Sequence, residues 1–143
     1  MSTEDLPRAQ GLVRFGPERH EELHDQTVRR ITAKIDPEDP LPIWWEMVVM
    51  GDTLGLHITV NPDTDELIVK LTEISEPGGG EWTDVTVLAD CIGGQIGWWW
   101  CSINSQGSWD MFTLAFAEWA VPSVAFFGIA SEVQVMRMEI ISP

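Results

Sequence analysis

The segment His20-Glu21-Glu22-Leu23-His24 is the sharpest chemical signal in this sequence, because it matches the pattern H-E-x-x-H. On a helix the two histidines lie one turn apart on one face. There they can bind Zn²⁺ while Glu21 activates a water molecule for hydrolysis. Pro17 suits the first position of a helix that would present this face.

The spacing resembles that of the zincin metalloproteases, and this resemblance implies a small zinc-dependent hydrolase. The context departs from that family: Arg19, Glu22 and Asp25 surround the histidines with charge, whereas zincin helices are buried and mostly apolar. A third ligand does not follow at a recognisable spacing. The residues therefore favour a solvated helix, and the hydrolase remains the alternative interpretation.

A second set of oxygen ligands lies in the segment 61–66, where Asp63 and Asp65 are two residues apart. Calcium loops of the EF-hand type need glycine at the sixth position and glutamate at the twelfth. Here those positions hold Glu66 and Thr72. Asn, Pro and Asp also build hairpin turns without a cation, so we predict a turn.

The spacing of residues in the sequence does not support nucleotide binding, a serine nucleophile or glycoside hydrolysis. The glycines of 93–97 precede an aromatic strand rather than a helix, so they offer no row of amides to a pyrophosphate. A G-x-S-x-G motif is absent from the sequence, and no spacing selects two of the carboxylates for glycoside chemistry. We therefore expect neither a cofactor nor a catalytic residue outside the zinc alternative.

The net charge of the chain favours some classes of binding partner over others. The 143 residues include 23 acids and 8 bases, for a net charge of −15. Residues 41–143 hold 14 acids and two bases, whereas residues 1–40 hold 9 acids and 6 bases. Such a surface repels phosphates and anionic lipids, which disfavours nucleic acid and membrane binding, and it attracts a basic protein.

Length and composition predict one domain with a real core. The acidic start of the chain lacks a secretory signal, and the sequence has no apolar run of about 18 residues that could span a membrane. Cys91 and Cys101 lack metal-ligand spacing and read as reduced, packed thiols. These features predict a cytoplasmic protein.

The elements that position these residues follow from periodicity and turn signals. Residues 1–15 are expected to form a loose N-terminal arm, and 16–143 a single α+β domain. A short helix is predicted at 17–25 and a strand at 27–35, followed by a loop at 36–42 that contains three prolines.

The rest of the chain reads as short antiparallel strands in one twisted sheet of six to eight strands. A meander covers 43–72, where Leu54 to Val60 alternate cleanly, and an amphipathic helix is predicted at 82–92. Later strands fall within 95–104, 109–117, 123–127 and 133–141.

The tryptophan-rich strands at 96–103 and 109–116 have two apolar faces. We therefore expect this hairpin to be central and covered on both sides, by helices, a second sheet layer or another chain. Trp44, Trp45 or Trp99 could instead form an apolar patch that binds a partner or a second subunit.

One segment in the C-terminal third of the chain, W-x3-N-x-Q-G-x2-D-x-F-x-L-x-F, resembles a family of small, functionally uncharacterised bacterial proteins. It is formed here by Trp100, Asn104, Gln106, Gly107, Asp110, Phe112, Leu114 and Phe116, and a strand with Ala130, Ser131, Val133 and Val135 follows. The likeness extends loosely to residues 61–71. Trp109 stands where the pattern expects tyrosine, and the resemblance implies no activity.

The sequence as a whole favours a non-enzymatic, acidic binding protein of the immunity or inhibitor type that docks a basic partner. Steering by charge would precede the burial of a tryptophan-centred patch. A homodimer that covers an apolar sheet face is a further alternative. The candidate partner-binding residues are Trp44, Trp45, Trp99, Asp52, Asp63, Asp65, Glu66, Glu81 and Asp110.

Overall fold

The computed structural model describes residues 12–15, 19–41, 43–73, 80–116 and 120–141. Within them the chain forms a short helix α1 (His20–His24), a 3₁₀ helix (Thr86–Cys91) and nine strands. The strands before the 3₁₀ helix are β1 (Arg30–Ile35), β2 (Glu46–Met50), β3 (Leu54–Val60), β4 (Leu67–Glu73) and β5 (Glu81–Asp84). Those after it are β6 (Trp99–Ile103), β7 (Trp109–Leu114), β8 (Val124–Ile129) and β9 (Glu132–Arg137).

The strands form two antiparallel sheets, one with the order β4-β3-β2-β1-β5 and the other with the order β6-β7-β8-β9. The predicted α+β class with mainly antiparallel strands is confirmed. The number and grouping of strands differ from the prediction of one sheet with six to eight strands, because nine strands divide between two sheets that face each other. Each sheet has one apolar face that must be buried away from water. The two apolar faces pack against each other and so bury one another.

The core lies between the two sheets. Met47, Val49 and Ile58 point into it from the five-stranded sheet, and Phe112 and Phe126 point into it from the other. Successive side chains of a strand face opposite sides, so each strand contributes every second residue to this layer. Burial of each such side chain stabilises the fold by about 1.5–3 kcal/mol.

The chain is already packed at Leu12. Of the N-terminal arm predicted for 1–15, residues 1–11 lie outside the described residues, whereas Leu12 and Val13 are buried. Val13 forms a parallel bridge with Val69 of β4. Residues 12–14 therefore cover the outer edge of β4.

The prediction of a helix over 82–92 was wrong for its first part. Residues 81–84 form β5, which pairs with β1, and only 86–91 are helical. Val85, Leu88 and Cys91 are buried at intervals of three residues, which is the period of a 3₁₀ helix rather than an α-helix. The amphipathic pattern of 82–92, taken alone, predicts a helix. Its first residues form a strand instead, because the edge of β1 is open to pair with them.

The predicted strand at 27–35 is confirmed as β1, and the predicted helix at 17–25 is confirmed in its described part as α1. The expectation of a central, doubly covered hairpin was wrong for its first strand, since β6 is at the edge of its sheet and β7 lies inside it. β6 is shielded on its inner face by the core but has no strand on its far side among the described residues.

Two further observations bear on the sequence-based expectations. Cys91 is buried and Cys101 is half-buried, and neither forms a disulfide among the described residues. Among the described residues, the helices are too short to cross a membrane.

Candidate functional site

The strand registers bring several loops to one end of the sandwich. These are the β1–β2 loop, the β3–β4 turn, the β6–β7 turn and the β8–β9 turn. The two sheets are joined here, because the carbonyl of Trp44 accepts a hydrogen bond from the N–H of Val133 at 2.8 Å. This end contains most of the sequence-predicted site residues.

The carboxylates at this end far outnumber the cations, and we call it the acidic end. Lys34 is its cation among the described residues, and it pairs with Glu46 at 3.2 Å. A concentration of one charge sign raises the local concentration of oppositely charged partners. The carboxylates of the acidic end are Asp36, Glu38, Asp39, Asp63, Asp65, Glu66, Glu81, Asp110 and Glu132.

Asp65 links the two sheets. Its carboxylate accepts hydrogen bonds from the N–H groups of Ala130 at 3.2 Å and Ser131 at 2.8 Å. All three residues have positive φ, so two left-handed turns meet at this contact. The prediction of a turn in 61–66 is confirmed, and both oxygens of Asp65 are engaged by backbone amides.

Two more carboxylates of the acidic end are held in place. Glu66 accepts a hydrogen bond from the N–H of Trp109 at 2.9 Å, which joins the β3–β4 turn to β7. Asp110 accepts one from the side-chain amide of Asn104 at 2.9 Å. Asp65, Glu66 and Asp110 thus fix the shape of the acidic end, while Asp63 and Glu81 are exposed.

Apolar side chains emerge among these carboxylates. Leu41 is 68% exposed and Trp45 is 39% exposed, and both belong to the loop that leads into β2. Ile103 and Ile129, at the ends of β6 and β8, are also exposed. Trp44, in contrast, packs against the core. Of the two adjacent tryptophans, Trp45 is the one that a partner can contact directly.

Several carboxylates at the opposite end of the sandwich form ion pairs with arginines, and this end contains the remaining predicted residues. Asp52 accepts hydrogen bonds from Thr27 N–H at 3.0 Å and Arg29 Nε at 2.6 Å. The Thr27 amide is the larger cause and Arg29 the second of a lowered pKa for the Asp52 carboxyl. Arg30 pairs there with Asp84 at 2.7 Å. The predicted partner-binding residues therefore do not form one surface.

Trp99 also lies at this opposite end, where it packs against the core. Its ring centroid is 5.4 Å from that of Phe15 and 5.9 Å from that of His24. The indole ring of Trp99 is therefore packed against other side chains of the protein. It lies at the opposite end of the sandwich from Trp45.

The H-E-x-x-H segment forms α1, a helix of five residues. His24 Nδ1 is 3.0 Å from the carbonyl oxygen of Ile96, and Glu21 is exposed. The side chain of His20 lies outside the described residues. Groups of three metal-ligating side chains are absent from the part of the chain that the structure describes.

Gln26 is a structural residue that the sequence patterns do not reveal. Its buried side-chain oxygen accepts hydrogen bonds from the N–H groups of Thr53 at 2.8 Å and Leu54 at 3.1 Å, and its nitrogen donates to Glu22 O at 3.2 Å. It therefore holds the β2–β3 turn against the end of α1. A single polar residue between two elements carries no periodic signal that could have identified it.

A polar cluster on the outer face of the five-stranded sheet was likewise not predicted. Glu46 contacts His57 Nε2 at 2.7 Å and Lys34 Nζ at 3.2 Å. Thr32 Oγ1 and Trp82 Nε1, on the same face, are buried without a hydrogen-bond partner among the described residues. Glu46 and His57 are on paired strands, so the register of the β2–β3 hairpin was the signal that could have joined them.

A cleft of about 430 Å³ lies beside the 3₁₀ helix, at the end opposite the acidic end. Cys91, Arg137 and Glu139 contribute to its lining. Burial is the main reason that the pKa of the Cys91 thiol is raised, with the neighbouring Asp90 charge as a second cause. A thiol with a raised pKa is a poor nucleophile, so this cleft lacks the activated cysteine that covalent chemistry needs.

Comparison with known proteins agrees with the resemblance noted in the sequence. No curated protein and no solved structure matches the chain. One family model, described as a family of unknown function, matches residues 17–142 and so covers most of the described strands and turns. The chain belongs to this family of unknown function, DUF6334.

Proposed function

We propose that this protein is a non-enzymatic binding protein whose acidic end docks a basic partner protein. The observation that carries the proposal is the excess of carboxylates over cations at the acidic end, where Lys34 is the cation among the described residues and where Trp45 and Leu41 are exposed. Charge of one sign steers an oppositely charged protein to this end. Exposed apolar side chains supply the contact area that stabilises the complex after the encounter.

The rigidity of the acidic end supports docking of a folded partner. Asp65 and Glu66 hold the β3–β4 turn against the second sheet through backbone amides. A surface that is fixed before binding loses less conformational entropy when the complex forms. The exposed carboxylates Glu38, Asp63 and Glu81 lie at the same end of the sandwich as Trp45 and Leu41, and in a complex they would form a charged rim.

Within this class, we favour an immunity or inhibitor protein that neutralises a cationic toxin, a nuclease above all. Nucleases present basic surfaces because they bind phosphates, and such a surface meets a rigid array of carboxylates as it would meet a nucleic acid backbone. Occupation of that surface would block access to the nucleic acid. This assignment rests on charge, size and rigidity.

The experiment compares two charge-reversal variants of equal net charge. Glu38→Lys combined with Asp63→Lys alters the acidic end, and Glu21→Lys combined with Glu73→Lys alters exposed residues at the opposite end. The proposal predicts that a basic partner is encoded by a neighbouring gene, and each immobilised protein is used to capture that partner at low and at moderate salt. We expect the first variant to lose capture and the second to keep it.

The salt dependence of capture and the substitution of Trp45 test the proposal independently of the charge-reversal variants. Wild-type capture should weaken steeply as ionic strength rises, because surface charges are screened within about 8–10 Å at physiological salt. Trp45→Ala should weaken binding at every salt concentration. Equal loss in both charge variants would reduce the effect to net charge and contradict a localised docking surface, and so would capture that is insensitive to salt.

A further inference from the structure

We propose that the cleft beside the 3₁₀ helix is a binding site for a small organic cation, namely a protonated amine that carries an apolar group. The cleft has a volume of about 430 Å³. Pockets that bind small molecules have volumes of about 300–1,000 Å³. This inference does not depend on the proposed function, because the cleft and the acidic end share no residue.

Segments that are far apart in the chain form the walls of the cleft, and hydrogen bonds join them. The 3₁₀ helix is tied to the end of β9, because Arg137 donates a hydrogen bond to the carbonyl of Val87 at 2.9 Å. Residues 121–123 form another wall, where the carbonyl of Ser123 accepts a hydrogen bond from the N–H of Met138 at 2.9 Å. A cleft that is fixed before binding loses less conformational entropy when a ligand enters it.

Part of the cleft lining is apolar. Phe116 contributes to it from the end of the segment that follows β7, and its side chain is buried. Val121, Pro122 and Met138 contribute from the other walls, and all three are half-buried. Removal of apolar surface from water is favourable, so these side chains can hold the apolar group of a ligand.

The charged side chains of the cleft select the sign of the ligand's charge. Asp90 and Arg137 form an ion pair with each other, so their charges cancel. Burial raises the pKa of the Cys91 thiol, which therefore adds no charge at neutral pH. Glu139 is exposed and has no ion pair among the described residues, so it leaves the cleft with one uncompensated negative charge. This carboxylate attracts a cation.

An anion is the alternative ligand, because a guanidinium has five N–H donors. The described hydrogen bonds of Arg137, to Val87 and to Asp90, use only its Nη2. An anion in the cleft would meet the carboxylates of Asp90 and Glu139 as well as the net charge of −15. Like charges repel each other, so the charges of the cleft favour a cation.

The test uses NMR titrations of the full-length protein, in which the backbone amide signals report both the affinity and the location of binding. The probes are phenethylammonium and 3-phenylpropanoate, which carry the same apolar group and opposite charges at neutral pH. We expect phenethylammonium to shift the amide signals of Gly94, Ser123 and Met138 saturably, with a dissociation constant of about 1 mM or lower. 3-Phenylpropanoate should bind at least about 10-fold more weakly.

A matched pair of substitutions tests the role of Glu139. Glu139→Gln removes the charge that selects the cation, and Glu73→Gln removes the same charge from an exposed residue of β4 in the other sheet. The first should weaken the binding of phenethylammonium about 10-fold, and the second should leave it unchanged. Both positions are exposed, so the amide spectra of both variants should remain those of the folded protein.

Several results would overturn the inference. One is the absence of saturable shifts up to about 10 mM phenethylammonium, and another is shifts confined to residues outside the cleft. Equal weakening by Glu139→Gln and Glu73→Gln would reduce binding to an effect of net charge. Equal or tighter binding of 3-phenylpropanoate would assign the cleft to an anion and contradict the role given to Glu139.

Discussion

The carboxylate of Asp65 and the backbone amide of Ser131 are 2.8 Å apart, although the two residues are 66 positions apart in the chain. The contact joins the β3–β4 turn of one sheet to the β8–β9 turn of the other. Hydrogen bonds from backbone amides to a carboxylate are stronger than those between neutral groups. The same turn that displays Asp63 to solvent is thus anchored by Asp65.

Asp65→Ala should lower the free energy of unfolding by about 2–3 kcal/mol, because two backbone amides lose their acceptor and alanine disfavours the positive φ at this position. Asp63→Ala, in the same turn but exposed, should change it by less than about 0.5 kcal/mol. Urea denaturation followed by tryptophan fluorescence measures both. Equal effects of the two substitutions would argue that Asp65 does not anchor the turn.

Gly128→Ala should be severely destabilising, since a Cβ at this position would lie 2.0 Å from the backbone oxygen of Asp65. That oxygen belongs to the anchored turn and cannot move aside without breaking the contact between the sheets. We expect a loss of more than about 3 kcal/mol or a failure to fold. Thermal unfolding monitored by circular dichroism measures the change.

Gly107→Ala is the matched control for Gly128→Ala. Gly107 has a positive φ of 86° in the β6–β7 turn, but nothing lies within 4 Å of a Cβ there. Only backbone strain of about 1 kcal/mol should result. If Gly107→Ala destabilised the protein as much as Gly128→Ala, backbone strain rather than the close approach to Asp65 would explain both.

Acid should weaken the contact between Asp52 and β1. The pKa of Asp52 is lowered in the folded state, so its contribution to stability is fully present above its ordinary value of 3.8 and is lost as pH falls through the lower folded pKa. Asp52→Asn should therefore flatten the dependence of stability on pH in the range below about 4.

The two causes of this lowered pKa can be separated by a second substitution. Arg29→Met removes only the smaller cause, and the hydrogen bond from Thr27 N–H remains. It should flatten the dependence less than Asp52→Asn does. Urea midpoints measured from pH 2 to pH 7 compare the two variants with the wild type. A wild-type slope in Asp52→Asn would contradict the role given to this carboxylate.

The thiol of Cys101 should react slowly with a disulfide reagent in the folded protein. Burial raises its pKa to about 11, against an opposing hydrogen bond from the backbone of Leu12. At pH 8 the thiolate is then about 100-fold scarcer than for an ordinary thiol, and only the thiolate reacts. Cys91→Ser isolates this signal, and reaction in denaturant gives the unhindered rate. A fast reaction in the folded state would contradict the packing between β6 and residues 12–15.

The hydrophobic alternation and the turn residues correctly predicted those strands and turns that pair with the next segment along the chain. The alternation of Leu54 to Val60 located β3 correctly, and the turn at 61–66 formed where its Asn, Pro and Asp residues indicated. The same patterns gave wrong predictions where a segment's structure depends on a strand far away in the chain. Residues 82–84 joined β1 because its edge was open, and β6 became an edge because the second sheet ends there.

The candidate site shows the same division. Asp63, Asp65, Glu66 and Trp45 were predicted as candidates from their types, but the structural role of Asp65 depends on the turn at Ala130 and Ser131, 65 and 66 positions away in the chain. Glu132 and the acids of the β1–β2 loop were missed, since nothing in the sequence brings those segments beside the β3–β4 turn.

The sequence by itself determined the net charge of −15 and the pleated alternation that produces two apolar sheet faces. It placed the acidity in residues 41–143 and the bases near the N-terminus. Only the tertiary structure decided where those charges meet. The start of β1 and the residue before it bring Arg30 and Arg29 to acids at one end, and the other end keeps its carboxylates without arginine in the described residues. Strand register determines which loops share an end, and register depends on contacts between residues far apart in the chain.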